Sequence, residues 1–187
     1  LEENVLANKG SAFEREVSKY LSKWLTGSEK PYQYWRMPGS GCLCTISEEN
    51  ADLSGDIRSL TTEAKFLTDL FSIELKTGYP QTSFWQHFAK IKGFKLKEFW
   101  QQASRDASKS EKRPMLIYRK KGKKVLVGID YETYDIICYH MNELVHINNI
   151  RMYFPEENDD LLPLVLMDFY NFFDVLKPES IKNIWHK

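Results

Sequence analysis

The sequence predicts an α/β fold, a mixed central β-sheet flanked by helices, and three observations predict it. An amphipathic segment opens the chain, several short segments alternate between apolar and polar residues, and a second long helical segment separates two groups of them. At 187 residues, 42% of them hydrophobic and 14% aromatic, the chain is long enough to bury one full core and too apolar to be disordered.

From Lys9 to Leu25 the residues Phe13, Val17, Tyr20, Leu21 and Trp24 fall on one helical face, and Gly27 and Pro31 end the helix. Tyr32 to Met37 reads as a strand that stops at the Pro38-Gly-Ser-Gly41 turn, and residues 38–52 read as a loop. A short strand is expected around Gly55 to Leu60. In Phe71-Ser-Ile-Glu-Leu-Lys76, strict alternation sends Phe71, Ile73 and Leu75 to one face and Ser72, Glu74 and Lys76 to the other. Phe84 to Ala107 reads as a helix bent or broken at Gly93. Met115 to Tyr118 and Val125 to Ile129 read as strands joined through Arg119-Lys-Lys-Gly-Lys-Lys124, whose glycine suits a hairpin turn. After the acidic loop Pro155-Glu-Glu-Asn-Asp-Asp160, the stretch from Leu161 to Leu176 reads as a helix packed on the body. Residues 1–130 are therefore expected to form the core, and 131–187 a helical C-terminal extension packed on it.

The formal net charge is zero, but residues 76–124 hold 14 Lys and Arg against 3 Asp and Glu. Such a block suits a polyanionic partner, because each neutralised phosphate releases condensed counterions. A solvated face on ordinary helices is the alternative. The three cysteines, Cys42, Cys44 and Cys138, lack the spacings of a zinc site or a disulfide framework and fit a reducing compartment. No apolar run approaches the roughly 18 residues of a membrane span, and Leu1-Glu-Glu-Asn-Val5 does not read as a signal peptide, so the expected location is intracellular, in the cytoplasm, without a membrane partner. Gly39 and Gly41 form no phosphate-cradling loop, so no nucleotide cofactor is expected. The histidines His87, His140, His146 and His186 are scattered and flank no nucleophile motif.

Glu74 and Lys76 leave the same face of one strand and can converge on one substrate atom, while the preceding strand supplies Asp56. Two close carboxylates repel, and a divalent cation relieves the repulsion and brings Lewis-acid chemistry to a phosphate. Mg²⁺ suits oxygen ligands, with Mn²⁺ as a substitute. Lys76 is then placed to orient a water or balance phosphate charge. Glu14 on the first helix points partly inward as a third acid; alternatively Ser11-Ala-Phe-Glu14 is a capping box. The hairpin lysines Lys120, Lys121, Lys123 and Lys124, and Lys90, Lys92, Lys95 and Lys97, are candidate phosphate contacts that would position a polyanion without reading its sequence.

In these motifs the first 130 or so residues resemble the archaeal-type Holliday junction resolvases of the PD-(D/E)XK nuclease superfamily. Lys9-Gly-Ser-Ala-Phe-Glu-Arg-Glu16 is similar to the family's opening Lys-Gly-X-X-X-Glu-Arg-Glu segment, Arg36 with Gly39-Ser40 to its Arg and Gly-Ser pair near the scissile phosphate, and Asp56 with Ile73-Glu-Leu-Lys-Thr77 to its metal aspartate and Glu-X-Lys strand. The resemblance implies a restriction-endonuclease-like core and a metal-dependent DNA endonuclease. Its metal ligands would be Asp56, Glu74 and Glu14, its catalytic lysine Lys76, and its DNA contacts would include Arg15, Arg36 and Ser40. Branched DNA as substrate and a homodimer with two symmetric sites follow from the same resemblance. The loop between Arg36 and Asp56 is longer than the family's, and residues beyond about 130 have no family counterpart. A restriction-like or repair nuclease acting on duplex or single-stranded DNA, and a DNA-binding module that does not cut, are the competing readings.

Overall fold

The computed structural model describes residues 2–37, 55–78, 95–141, 146–155 and 161–185, with side chains from residue 10 onward. The first helix, α1 (Glu2–Thr26), is longer than the periodicity suggests and ends where Gly27, at φ +79°, donates its N–H to Lys23 O at 2.7 Å. Its buried Ser22 hydroxyl donates to Ser18 O and accepts the N–H groups of Gln33 and Tyr34 at 3.0 and 3.2 Å. One hydroxyl thus ties the helix to the strand that follows.

That strand, β1 (Tyr34–Arg36), pairs antiparallel with β2 (Ile57–Ser59), with Trp35 opposite Arg58. A 3-10 turn (Thr62–Ala64) and α2 (Lys65–Leu70) lead into β3 (Phe71–Thr77). The helix α3 (Lys95–Lys109) then crosses to β4 (Arg113–Arg119), which runs parallel to β3. A hairpin with Gly122 at φ +70° turns β4 into β5 (Val125–Ile129), as its sequence predicts. The earlier part of the helix expected over Phe84–Ala107 lies outside the described residues.

The remaining elements are α4 (Tyr131–His140), capped by the Asp130 carboxylate accepting from Thr133 N–H, then β6 (Asn149–Pro155), β7 (Leu161–Asp168), α5 (Phe169–Val175) and α6 (Pro178–Trp185). The sheet order is β3-β4-β5-β7-β6, parallel at β3–β4 and antiparallel elsewhere. The last described residues do form helices, as expected. Leu161–Asp168, expected to begin a helix, is instead a strand between β5 and β6, so residues beyond 130 supply two of the five strands as well. The reason is burial on both faces: Leu164 to Met167 are all buried, and a strand covered on both sides shows no polar alternation. Pro163 lies outside the stretch of β7 paired with β5, and its carbonyl accepts the Trp100 indole N–H at 3.0 Å.

Alternation along the strands divides the core into two layers. Ile73, Ile117, Val127 and Val165 face α1 and the C-terminal helices, packing with Phe13 and Phe173. Leu116, Tyr118, Leu164 and Leu166 face α3, packing with Phe99 and Trp100. This is a mixed α/β architecture consistent with a restriction-endonuclease-like core. Among the described residues no helix is long and apolar enough to cross a membrane.

Candidate active site

Asp56 reaches β3 because the residue before it is glycine. Gly55 adopts φ +89°, and a Cβ there would lie 2.8 and 2.9 Å from the backbone N and O of Ile73, so only a residue without a side chain lets the chain press this close. Asp56 N–H then donates to Ile73 O at 2.7 Å, and its Oδ2 accepts the Leu75 N–H at 2.8 Å. The aspartate carboxylate is thereby fixed at the edge of β3, beside the residue that separates Glu74 from Lys76.

Glu74 and Lys76 emerge together on the α3 side of β3, as strand alternation predicts. Glu74 is 6% exposed and forms an ion pair with Lys76; its Oε1 also accepts the Gln102 amide N–H at 3.1 Å. Lys76 Nζ lies 5.8 Å from the centre of the Phe99 ring. Burial first, and the nearby Asp56 charge second, push the Glu74 carboxyl up to about 7, against the opposing pull of Lys76. Gln102 and Phe99 are site neighbours that the sequence reading missed. The available signal was a glutamine one helical turn beyond a core phenylalanine, on the same side of α3.

Glu14 lies inside α1, well beyond its first turn, so the capping-box alternative does not hold. Its Oε2 instead accepts from Arg36 Nη1 at 3.0 Å, and the same nitrogen donates to Ser11 Oγ at 2.8 Å. A cleft of about 240 Å³ is lined by Gly10, Phe13 and Glu14 from α1, by Asp56, and by Leu75 to Gly78 at the end of β3. Glu14, Asp56 and Lys76 thus share one cleft, with Glu74 immediately behind Lys76.

The remaining candidates are more dispersed. Arg15 is exposed and does not line the cleft, and Ser40 lies outside the described residues. Lys121, Lys123 and Lys124 are exposed at the hairpin, Lys120 is half-buried, and Lys124 pairs with Asp168 at 3.2 Å. Lys90 and Lys92 lie outside the described residues; Lys95 pairs with Glu98, and Lys97 donates to Pro155 O. The cationic block is therefore not one bare face, because Lys109, Arg113 and Arg119 also have acidic partners in Asp106, Glu132 and Glu16.

Among the described residues no three or more His, Cys, Asp or Glu side chains cluster as a ready cation site. Asp56 and Glu74 are nonetheless two oxygen-donor carboxyl groups close enough for the charge of one to raise the pKa of the other. That donor set fits a hard divalent cation such as Mg²⁺, which takes one or two carboxylates and completes its shell with water and substrate phosphate.

No curated protein and no solved structure matches the chain. A match to one family, described as phage putative PDDEXK endonuclease, extends over residues 6–183. With nearly its whole length inside that match, and with Asp56 meeting a Glu-X-Lys strand in its fold, the chain belongs to this endonuclease family of the PD-(D/E)XK superfamily.

Proposed function

We propose that the protein is a metal-dependent endonuclease that hydrolyses DNA phosphodiester bonds in the cleft between α1 and the end of β3. The observation that carries this reading is the attachment of Asp56 to the Leu75 N–H, between Glu74 and Lys76 in sequence, at a cleft that Lys76 and Glu14 also line. Asp56 and Glu74 would hold Mg²⁺, or Mn²⁺ in its place, with Glu14 as a further acid. A cation bound there supplies positive charge at the scissile phosphate and lowers the pKa of a bound water.

The chain's own groups account for the rest. Hydrolysis adds water across a P–O bond: the water gives up a proton, the ester bond to the leaving oxygen breaks, and that oxygen takes up a proton. Lys76, restrained by Glu74 and the Phe99 ring, is placed to hold the attacking water or to balance charge on the phosphate. Glu74, buried and accepting the Gln102 amide N–H, keeps Lys76 in place for that role. Arg36, held by Glu14 and Ser11 beside the cleft, offers donors to a neighbouring phosphate, and the hairpin lysines offer more distant contacts.

The resemblance of the first 130 residues to junction resolvases favours branched DNA and a homodimer. The test is incubation of the purified protein with four-way junction, linear duplex and single-stranded DNA, with Mg²⁺ or with chelator. Metal-dependent paired nicks near the branch are expected. Equal cutting of linear duplex would remove the branch preference, and binding without cutting under all conditions would leave a non-cutting module.

A further inference from the structure

We propose that Arg119 anchors a backbone phosphate flanking the scissile one, with Glu16 holding the guanidinium in position for that contact. The proposal rests on the phosphodiesterase reading and deepens it by assigning the side on which the substrate strand leaves the cleft. Arg119 is the last residue of β4 and the register partner of Thr77, which lines the cleft. Tyr118 packs in the α3 layer, so alternation brings Arg119 out on the α1 side. There its guanidinium carbon lies 4.3 Å from the centre of the Phe13 ring, and Phe13 is itself part of the cleft wall.

The use of its donors matters most. Both hydrogen bonds to Glu16, at 2.9 and 2.7 Å, come from Nη1, so Nη2 and Nε have no partner among the described residues. The side chain is 29% exposed. An arginine with one face against a ring and one nitrogen on a carboxylate has already lost much of its rotamer freedom, which lowers the cost of docking a phosphate on its remaining donors. From Arg119 the chain continues directly into the hairpin, where Lys121 and Lys123 are exposed, so positive charge runs outward from the cleft on this side. A purely structural role is a weak competitor, since an ion pair whose Glu16 side chain is 47% exposed is screened by water and contributes little to stability.

The test measures binding of fluorescein-labelled linear duplex and four-way junction by anisotropy, with Mg²⁺, in a Lys76→Ala parent that does not cut. Arg119→Gln is expected to raise Kd about tenfold and to reduce the slope of log K against log salt by about one. Arg119→Lys should recover part of the loss. Glu16→Gln should weaken binding by about twofold, less than Arg119→Gln, because the guanidinium loses the carboxylate that orients it but keeps the donors that meet the phosphate. Melting temperatures of all variants check that they fold, and Arg119→Lys with Glu16→Gln carry the test should Arg119→Gln not fold. A parent that binds DNA while Arg119→Gln keeps the same Kd and salt slope overturns the anchor and leaves the nuclease reading standing. So does Glu16→Gln weakening binding as much as Arg119→Gln. A parent that binds neither DNA overturns both.

Discussion

Glu74 is a carboxyl group that the fold buries beside Asp56 and partly neutralises with Lys76, and its raised pKa of about 7 gives the apoprotein a pH dependence of defined sign. Between the ordinary carboxylate range and about pH 7 the folded state keeps a proton that the unfolded state has released. Stability should therefore fall as pH rises through that window and level off above it, by roughly 3 kcal/mol at most. Chemical denaturation of metal-free protein at pH 5 and pH 8 checks this, and Glu74→Gln should flatten the difference. An unchanged pH dependence in Glu74→Gln would mean that Glu74 does not carry the extra proton of the folded state. Lys76→Ala should lower the cutting rate at least about 100-fold while DNA binding is nearly retained, because the lysine acts on the reacting phosphate rather than on overall affinity. Normal cutting by this variant would remove Lys76 from the site. Glu74 and Lys76 were legible in the sequence because a period of two puts them on one face. Their link to Asp56 was not, because it runs through a backbone N–H, that of Leu75, which leaves no trace in residue type.

At the scale of elements, the Gly55–Asp56 turn is the least tolerant join. Gly55→Ala would place a methyl group in the backbone of Ile73 at a φ that alanine rarely adopts, so it should cost about 2–3 kcal/mol. It should also abolish cutting even where the protein still folds, since Asp56 would be moved from β3. Thermal melting and a cleavage assay on the same preparation separate the two effects, and an active, equally stable variant would contradict the geometry. The strand β3 could be read from its alternation, and β4 and β5 from the glycine turn that joins two short apolar runs, because both signals are local. The β7 strand could not, because Leu164 to Met167 are buried from both sides and run straight into the aromatic helix α5. The start of α1 was missed for the opposite reason: residues 2–10 are mostly polar, with Gly10 among them, and do not advertise a helix. That omission is what made Ser11 and Glu14 resemble a cap.

For the whole molecule, β7 joins β6 to β5 in one sheet, and β6 and β7 both lie beyond residue 130. A fragment ending at 130 would leave the β5 edge unpaired and remove Phe169, Phe172 and Phe173 from the core, so it should not unfold cooperatively; a sharp melting transition in that fragment would contradict this. The family match over residues 6–183 agrees with a unit that uses nearly the entire chain. The excess charge of residues 76–124 was visible in the sequence, but its distribution was not. Arg113, Arg119 and Lys124 find acidic partners far along the chain, which composition does not reveal. Cutting at this site requires Asp56 and Glu74 to hold a cation beside Lys76. The most direct measurement is the rate of DNA cutting against Mg²⁺ concentration for the native chain and for Asp56→Asn. The native protein should be inactive with chelator and saturate with Mg²⁺, and Asp56→Asn should need at least about tenfold more metal or stay inactive at all concentrations. Cutting that persists in chelator, or an Asp56→Asn curve that overlays the native one, would contradict the account.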